Sequence, residues 1–138
     1  MEIINEPKNI EPTVEEEKSM IQHFCEHIYE NLGSGRREHI YQMALVHEMK
    51  EADKTLNIYT EVTQQIYYKK HPIGFVRYDI VIKNDMGVTT DIIECKTVGK
   101  LTPMLKAQAQ AYKRDNATAT VHLVNFGLNK VEYEKILY

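Results

Sequence analysis

Between Asn57 and Lys96 the chain offers three strand-forming segments with little between them. NIYTEVTQQIYY (57–68), FVRYDIVI (75–82) and VTTDIIECK (88–96) are rich in β-branched and aromatic residues, which suit a pleated, half-buried surface. KKHPIG (69–74) and KNDMG (83–87) read as the turns joining them. A sheet buries its faces only against another layer, and the flanking sequence supplies helices. Upstream, Ile21, Phe24, Cys25, Ile28 and Leu32 recur at helical spacing, and Gly33 is a natural stop. GSG (33–35) is a hinge into a second helix, roughly Arg36 to Ala52. Downstream, Thr102-Pro103 opens a helix reaching about Arg114, with proline at its favoured first position. ATVHLVNF (119–126) and VEYEKILY (131–138) are two further strands, the last at an edge, with a turn from Gly127 to Lys130. The order α-α-β-β-β-α-β-β predicts an α/β fold, a mixed central sheet flanked by helices.

The 138 residues are the usual size of one domain, and a 43% apolar content suits a packed core. The net charge of −3 hides an asymmetry. Glu2, Glu6, Glu11, Glu15, Glu16 and Glu17 face only Lys8 within the first 17 residues, so the rest of the chain is mildly basic. Residues 1–12, polar with two prolines, read as a flexible acidic arm, and 13–138 as a single domain. Thr13 and Glu16 fit a capping box at the start of the first helix. No apolar run is long enough to span a bilayer and no signal-peptide pattern is present, so a soluble, intracellular protein without membrane association is expected. Cys25 and Cys95 lie far apart with no CxxC, which argues against a disulfide framework or a zinc knuckle.

The informative residues are polar ones at core positions. On the second helix, Tyr41, Leu45 and Met49 fall within ~60° of Glu38, which puts that carboxylate in the middle of the apolar stripe. On the third, Met104, Leu105, Ala111 and Tyr112 fall within ~60° of Gln108, so this amide is expected to point inward. Asp79 interrupts VRYDIVI, sharing a face with Arg77 and Val81, and Glu94 and Lys96 share a face of TTDIIECK. Carboxylates gathered indoors repel one another and lose hydration, so they must be kept wet, paired or given a cation. Lys96 supplies one charge against three acids. A divalent ion would supply the rest, and an all-oxygen donor set points to magnesium, with manganese able to substitute, rather than zinc. Such an ion polarises a phosphate oxygen and acidifies a bound water, while a lysine offsets charge building on phosphorus. Acid, acid, acid and lysine thus form a kit for phosphodiester hydrolysis.

Several motifs in order also resemble a known family. GRREHIY (35–41) is G-x-x-E-x-x-Y, and the chain from about Ile21 to Phe126 is similar to the GxxExxY family of the PD-(D/E)XK nuclease superfamily. RYDIVI resembles its R-x-D strand, IIECKTVGKLTP its E-x-K strand and following loop, AQAQAY its Q-x-x-x-Y helix, and LVNFG its closing strand. The resemblance implies a restriction-endonuclease-like core, αβββαβ, preceded here by an additional N-terminal helix. It implies that Asp79 and Glu94 bind a metal, that Glu38 completes the site directly or through water, that Lys96 is the catalytic lysine and that Gln108 supports the site. It implies an Mg2+-dependent nuclease acting on nucleic acid, DNA above all, through a metal-activated water. The sequence departs from the pattern at Tyr78, where the superfamily name has proline, at Tyr29, where a histidine is common, and at Thr97, where alanine often follows the lysine.

Simpler readings compete at each position. Glu38 could be an N3 acid with Gly35 as the cap, Glu94 and Lys96 a surface ion pair, Asp79 a partner for Arg77, and Gln108 a buried amide. His23 and His27, at i and i+4, lack a third ligand and read as ordinary helix residues, as Tyr41 and Tyr112 read as core. Arg36, Arg37, Lys69, Lys70, Lys100, Lys113 and Arg114 would touch phosphates only if clustered at the rim of the site. The rival functions are a catalytically silent nuclease-fold module that binds nucleic acid or a protein, and a carboxylate-pair glycosidase, which the lysine and the absence of tryptophan disfavour. The C-terminal edge strand offers a surface through which a homodimer could form.

Overall fold

The computed structural model describes residues 19–137. The acidic arm, the Thr13 cap and Tyr138 lie outside these residues. Helix α1 (Met20–Leu32) begins at Ser19, whose side chain accepts from the Gln22 N–H at 3.1 Å. Helix α2 (Glu38–Ala52) follows a five-residue loop. Strands β1 (Asn57–Tyr68), β2 (His71–Lys83) and β3 (Thr89–Lys96) form the expected consecutive run, then α3 (Pro103–Asp115), β4 (Thr120–Phe126) and β5 (Val131–Ile136) complete the order.

The sheet order is β1-β2-β3-β4-β5. Short turns make β1–β2, β2–β3 and β4–β5 antiparallel, whereas β3 and β4 run parallel because α3 carries the chain back across. The result is a mixed α/β fold with the restriction-endonuclease-like core. One face of the sheet, through Ile80, Ile82, Ile93, Cys95, Val124 and Phe126, packs under α1 and α2 on Ile21, Cys25, Ile28, Tyr41, Leu45 and Met49. The other face, through Tyr78, Val81, Ile92, Val121 and Leu123, packs under α3 on Ala109 and Tyr112. Each Val, Leu, Ile, Phe or Met among them contributes roughly 1.5–3 kcal/mol by leaving water. Cys25 and Cys95 are free thiols in this core, and burial pushes the Cys25 thiol up to about 12 and Cys95 upward as well. They are inert packing groups.

Two expectations about the chain path are corrected. KKHPIG is not all turn: only Lys69 and Lys70 turn, both with left-handed backbone (φ 48° and 71°), and His71–Gly74 already belong to β2. Proline at position 72 is tolerated because the sheet is only two strands wide there; β3 pairs with β2 from Ile80 onward. The second correction concerns Gln108, which is exposed. The buried side of α3 is set by Ala109 and Tyr112, with Leu105 half-buried beside them, while Met104 is 80% exposed. Counting Met104 as a core position drags the apparent stripe toward Gln108; without it, Gln108 stands ~70° off the stripe. No helix among the described residues is long and apolar enough to cross a membrane.

Candidate active site

The site forms where β2 and β3 part. Their pairing runs no further than Ile80 opposite Ile93. Beyond that point the ladder is replaced by two carboxylates, each accepting from the opposite strand. Glu94 Oε1 accepts from the Asp79 N–H at 3.0 Å, and Asp79 Oδ2 accepts from the Cys95 N–H at 2.8 Å. These bonds satisfy two amides that the departing strands leave without a partner. They also fix both carboxylates relative to the backbone. Asp79 Oδ1 and Glu94 Oε2 take no hydrogen bond from any described residue.

The side-chain alternation of β2 changes at this point. The β1–β2 register passes from Thr60↔Ile80 to Val62↔Tyr78, and between them Glu61 has a left-handed backbone (φ 53°). A non-glycine residue there costs roughly 1–2 kcal/mol. Across from it on β2, Tyr78 packs under α3 while Ile80 packs under α1 and α2. The Asp79 carbonyl is taken by the buried Gln42 amide at 3.1 Å. Sequence reading missed Gln42, although it lies one turn past Glu38 and only ~40° from it on the wheel, a second polar residue in the same stripe.

Glu38 is the first residue of α2 and half-buried, not an N3 acid capped by Gly35: the cap position is Arg37, which makes no side-chain capping bond. Its placement depends on Tyr41, one turn further on. That ring stacks on Phe126 at 4.3 Å, and its hydroxyl donates to the Gly33 carbonyl and accepts from the Arg36 N–H. The loop carrying Gly33 and Gly35, both at positive φ, is thereby tied to the helix it precedes. Tyr41 is core, as expected, and its polar tip sets the loop. Tyr29 donates from its hydroxyl to the Gly127 carbonyl at 2.6 Å, fastening α1 to the turn before β5.

Lys96 ends β3, half-buried, and makes no ion pair within 4 Å among the described residues. The loop behind it is held by the fully buried Asn125, which accepts from the Val98 N–H (2.8 Å) and donates to the Val98 carbonyl (2.9 Å) and to Glu132 (2.8 Å). A cleft of about 280 Å³ opens between this loop and the loop before α2, lined by Gly35, Arg36, Thr97, Val98, Gly127 and Leu128 among others. None of Glu38, Asp79, Glu94 and Lys96 is among its lining residues, although Lys96 directly precedes Thr97 in the chain.

Electrostatics couple the four groups. Glu94 is 3% exposed, and burial, then the charge on Asp79, push its carboxyl up to about 8 against the opposing Asp79 N–H and Lys96. Burial likewise raises Asp79; the Cys95 N–H, Lys96 and Arg77 pull it back and Glu61 adds to the rise. Glu38 is raised by burial and by Asp79, with Lys96 opposing. Three carboxyls are thus all held above their ordinary values around one ammonium, a deficit of positive charge.

Among the described residues no three His, Cys, Asp or Glu side chains are grouped closely enough to hold a metal ion between them. The donor set is therefore narrower than three inward acids suggested: the free oxygens of Asp79 and Glu94, with Glu38 acting on them through space. This set still fits magnesium, which is held by one or two carboxylates and keeps several waters. Gln108 makes no hydrogen bond to these groups. A separate polar chain, His122 between Asp91 (2.8 Å) and the Tyr133 hydroxyl (2.7 Å), lies toward the other end of β3 and β4. It is a satisfied buried histidine.

A family model described as "PD-(D/E)XK nuclease superfamily" matches residues 15–136. No curated protein matches the chain. Among solved structures, one titled "Crystal structure of SSO0001" is similar at 24% identity and a TM-score of 0.48, over 71% of this chain and 49% of that one. Another, titled "cryoEM structure DrdV-DNA complex", is similar at 21% identity and a TM-score of 0.47, over 86% of this chain and 12% of that one. This chain spans about half of the first and about an eighth of the second.

Proposed function

Because the chain belongs to the PD-(D/E)XK nuclease superfamily, we propose that it is an active member, of the GxxExxY type, hydrolysing phosphodiester bonds in DNA with magnesium or manganese. One observation supports the reading: across the parting strands Glu94 accepts from the Asp79 N–H and Asp79 accepts from the Cys95 N–H, each keeping one oxygen free of any described residue, with Lys96 two residues past Glu94. Asp79 and Glu94 would hold the ion, which when bound supplies a Lewis acid for a phosphate oxygen and acidifies water. The chain's own groups do the rest. Glu94, nearly out of water and holding its proton up to about pH 8, would present a strong local field to a cation once ionised. Glu38 adds negative potential from the helix start and can accept a proton from an attacking water. Lys96, free of an ion partner within 4 Å among the described residues, is available to a non-bridging phosphate oxygen and offsets charge as phosphorus becomes five-coordinate. Gln108, exposed on α3, would act on substrate rather than on the carboxylates.

The test is cleavage of single- and double-stranded DNA in magnesium, manganese or chelator. Wild type should cut only with metal. Lys96→Ala and Asp79→Ala should each lose roughly 10²–10³ in rate, the usual cost of removing a preorganised charge-stabilising group, while unfolding cooperatively. Equal cleavage by wild type and both variants would assign the activity to a contaminant. Metal-independent DNA binding with no cleavage would favour the silent binding module.

A further inference from the structure

The β1–β2 hairpin is far longer than the sheet it belongs to. Because β3 pairs only with Ile80–Lys83 of β2, the segment from Val62 to Tyr78 stands beyond β3 as a two-stranded ribbon. One of its faces is partly covered: Val62 and Val76 pack toward α3, and Tyr78 bonds Gln64 and Asn116 there. The opposite face is left uncovered by the described residues. Thr63↔Arg77 and Gln65↔Phe75 lie on it, and Tyr67 continues it along β1. Phe75 is 70% exposed and Tyr67 63% exposed. Isolated two-stranded ribbons do not gain stability by presenting aromatic rings to water, so these rings call for an occupant.

The chemistry of that occupant follows from three features. Charge is the first: no Asp or Glu occurs from Val62 to Tyr78, while Lys69, Lys70 and Arg77 do, with His71. The second is the tip. Lys69 and Lys70 occupy both central positions of a turn that normally takes glycine or asparagine, so two cations are held in a strained conformation at its end. The third is direction. The charge on Arg77 is felt by the metal-site carboxylate of Asp79, where the alternation shifts, and Phe75 precedes Arg77 on the same ribbon face by a step of ~7 Å. That is about twice the ~3.4 Å rise of a stacked duplex strand. Among the described residues Arg77 has one ion pair within 4 Å, with the exposed Glu61 at 3.5 Å, which a phosphate can displace.

We propose that this ribbon face is a binding arm for single-stranded nucleic acid, with unpaired bases stacking on Phe75 and Tyr67 and phosphates on Arg77, Lys69 and Lys70, delivering an extended strand to Asp79. The proposal rests on the nuclease reading for its direction of travel, but not for its binding. Rings reach bases only where these are unpaired, so the arm selects single strands or single-stranded ends over duplex.

The experiment measures binding of a labelled mixed-sequence single-stranded DNA oligonucleotide, and of its duplex, in chelator, where cleavage cannot occur. Wild type should prefer the single strand. Phe75→Ala and Tyr67→Ala should each weaken it about tenfold, the loss typical of one base–aromatic stack. The pair Lys69→Glu, Lys70→Glu should weaken it further at low salt than at high. Both rings are exposed, so the variants should melt like wild type. Unchanged single-strand affinity in both ring variants, or equal affinity for duplex, overturns the arm. A dimeric wild type that Phe75→Ala converts to monomer with no loss of DNA affinity overturns it too, making the face a subunit contact. Tight ring-dependent binding without cleavage in any metal would retain the arm and remove the nuclease reading. Metal-dependent cleavage unaffected by the ring variants, with their single-strand binding unchanged, would do the reverse.

Discussion

Glu94→Gln should make the metal-free protein more stable at alkaline pH, although it removes a proposed metal ligand. Glu94 is nearly fully buried, and its carboxyl titrates at about 8 in the folded chain against 4.5 ordinarily. A raised folded-state pKa means that the native state holds its proton more tightly than the unfolded one. Its contribution to stability is therefore fully present below about pH 4.5, falls as pH rises, and is gone above about pH 8. At ~1.4 kcal/mol per unit the full effect approaches about 5 kcal/mol, and water around half-buried Asp79 reduces this to roughly 2–3 kcal/mol. The substituted amide would keep the acceptor for the Asp79 N–H and turn its NH2 toward the carboxylate of Asp79, so the geometry survives while the repulsion goes. Urea unfolding in chelator at pH 5 and pH 9 measures it. The wild-type midpoint should drop between the two values by more than that of Glu94→Gln, and the variant should be the more stable at pH 9. Magnesium should largely close the gap at pH 9, since an ion bound at a hundred times its Kd adds about 2.7 kcal/mol to wild type alone. A variant less stable than wild type at both values in chelator would refute the reasoning, because the buried charge would then be compensated by something other than a missing cation.

Further outcomes follow from the same geometry. Gln42→Leu should cost about 1–3 kcal/mol in denaturant unfolding, since it strands the Asp79 carbonyl, and should slow cleavage by loosening β2 at the site. Asn125→Ala should be the most damaging change in the loop after Lys96, roughly 2–4 kcal/mol by chemical denaturation, because it unpairs both the N–H and the carbonyl of Val98. Tyr41→Phe should cost about 1–2 kcal/mol and reduce the cleavage rate without touching the substrate, because the Gly33 carbonyl loses its donor and the loop leading to Glu38 relaxes. Gln108→Ala should leave stability within about 0.5 kcal/mol, as befits an exposed side chain; a thermal melt checks it.

Much of this was legible in the chain, and the rest was not, for definite reasons. Periodicity is local, and it revealed the element order, because helices and strands expose and bury residues at intervals that a sequence displays directly. The strangeness of Glu38, Asp79 and Glu94 was legible for the same reason: charge at an apolar position is visible without knowing what lies opposite. Gln108 misled because Met104 is apolar yet exposed, and only the packed helix reveals which apolar residues are core. Gln42 was overlooked although the same wheel contained it. The left-handed backbone at Glu61 left no sequence mark, since it is imposed by the strands around it. What the sequence determined alone is the set of elements and the presence of ionisable groups that do not belong in a core. What tertiary structure decided is how those groups meet: that two carboxylates replace a broken ladder, that the third acts through space, and that half of a hairpin extends past the end of β3 pairing. These depend on where strands stop pairing, and a chain acquires that property only when its distant segments are brought together.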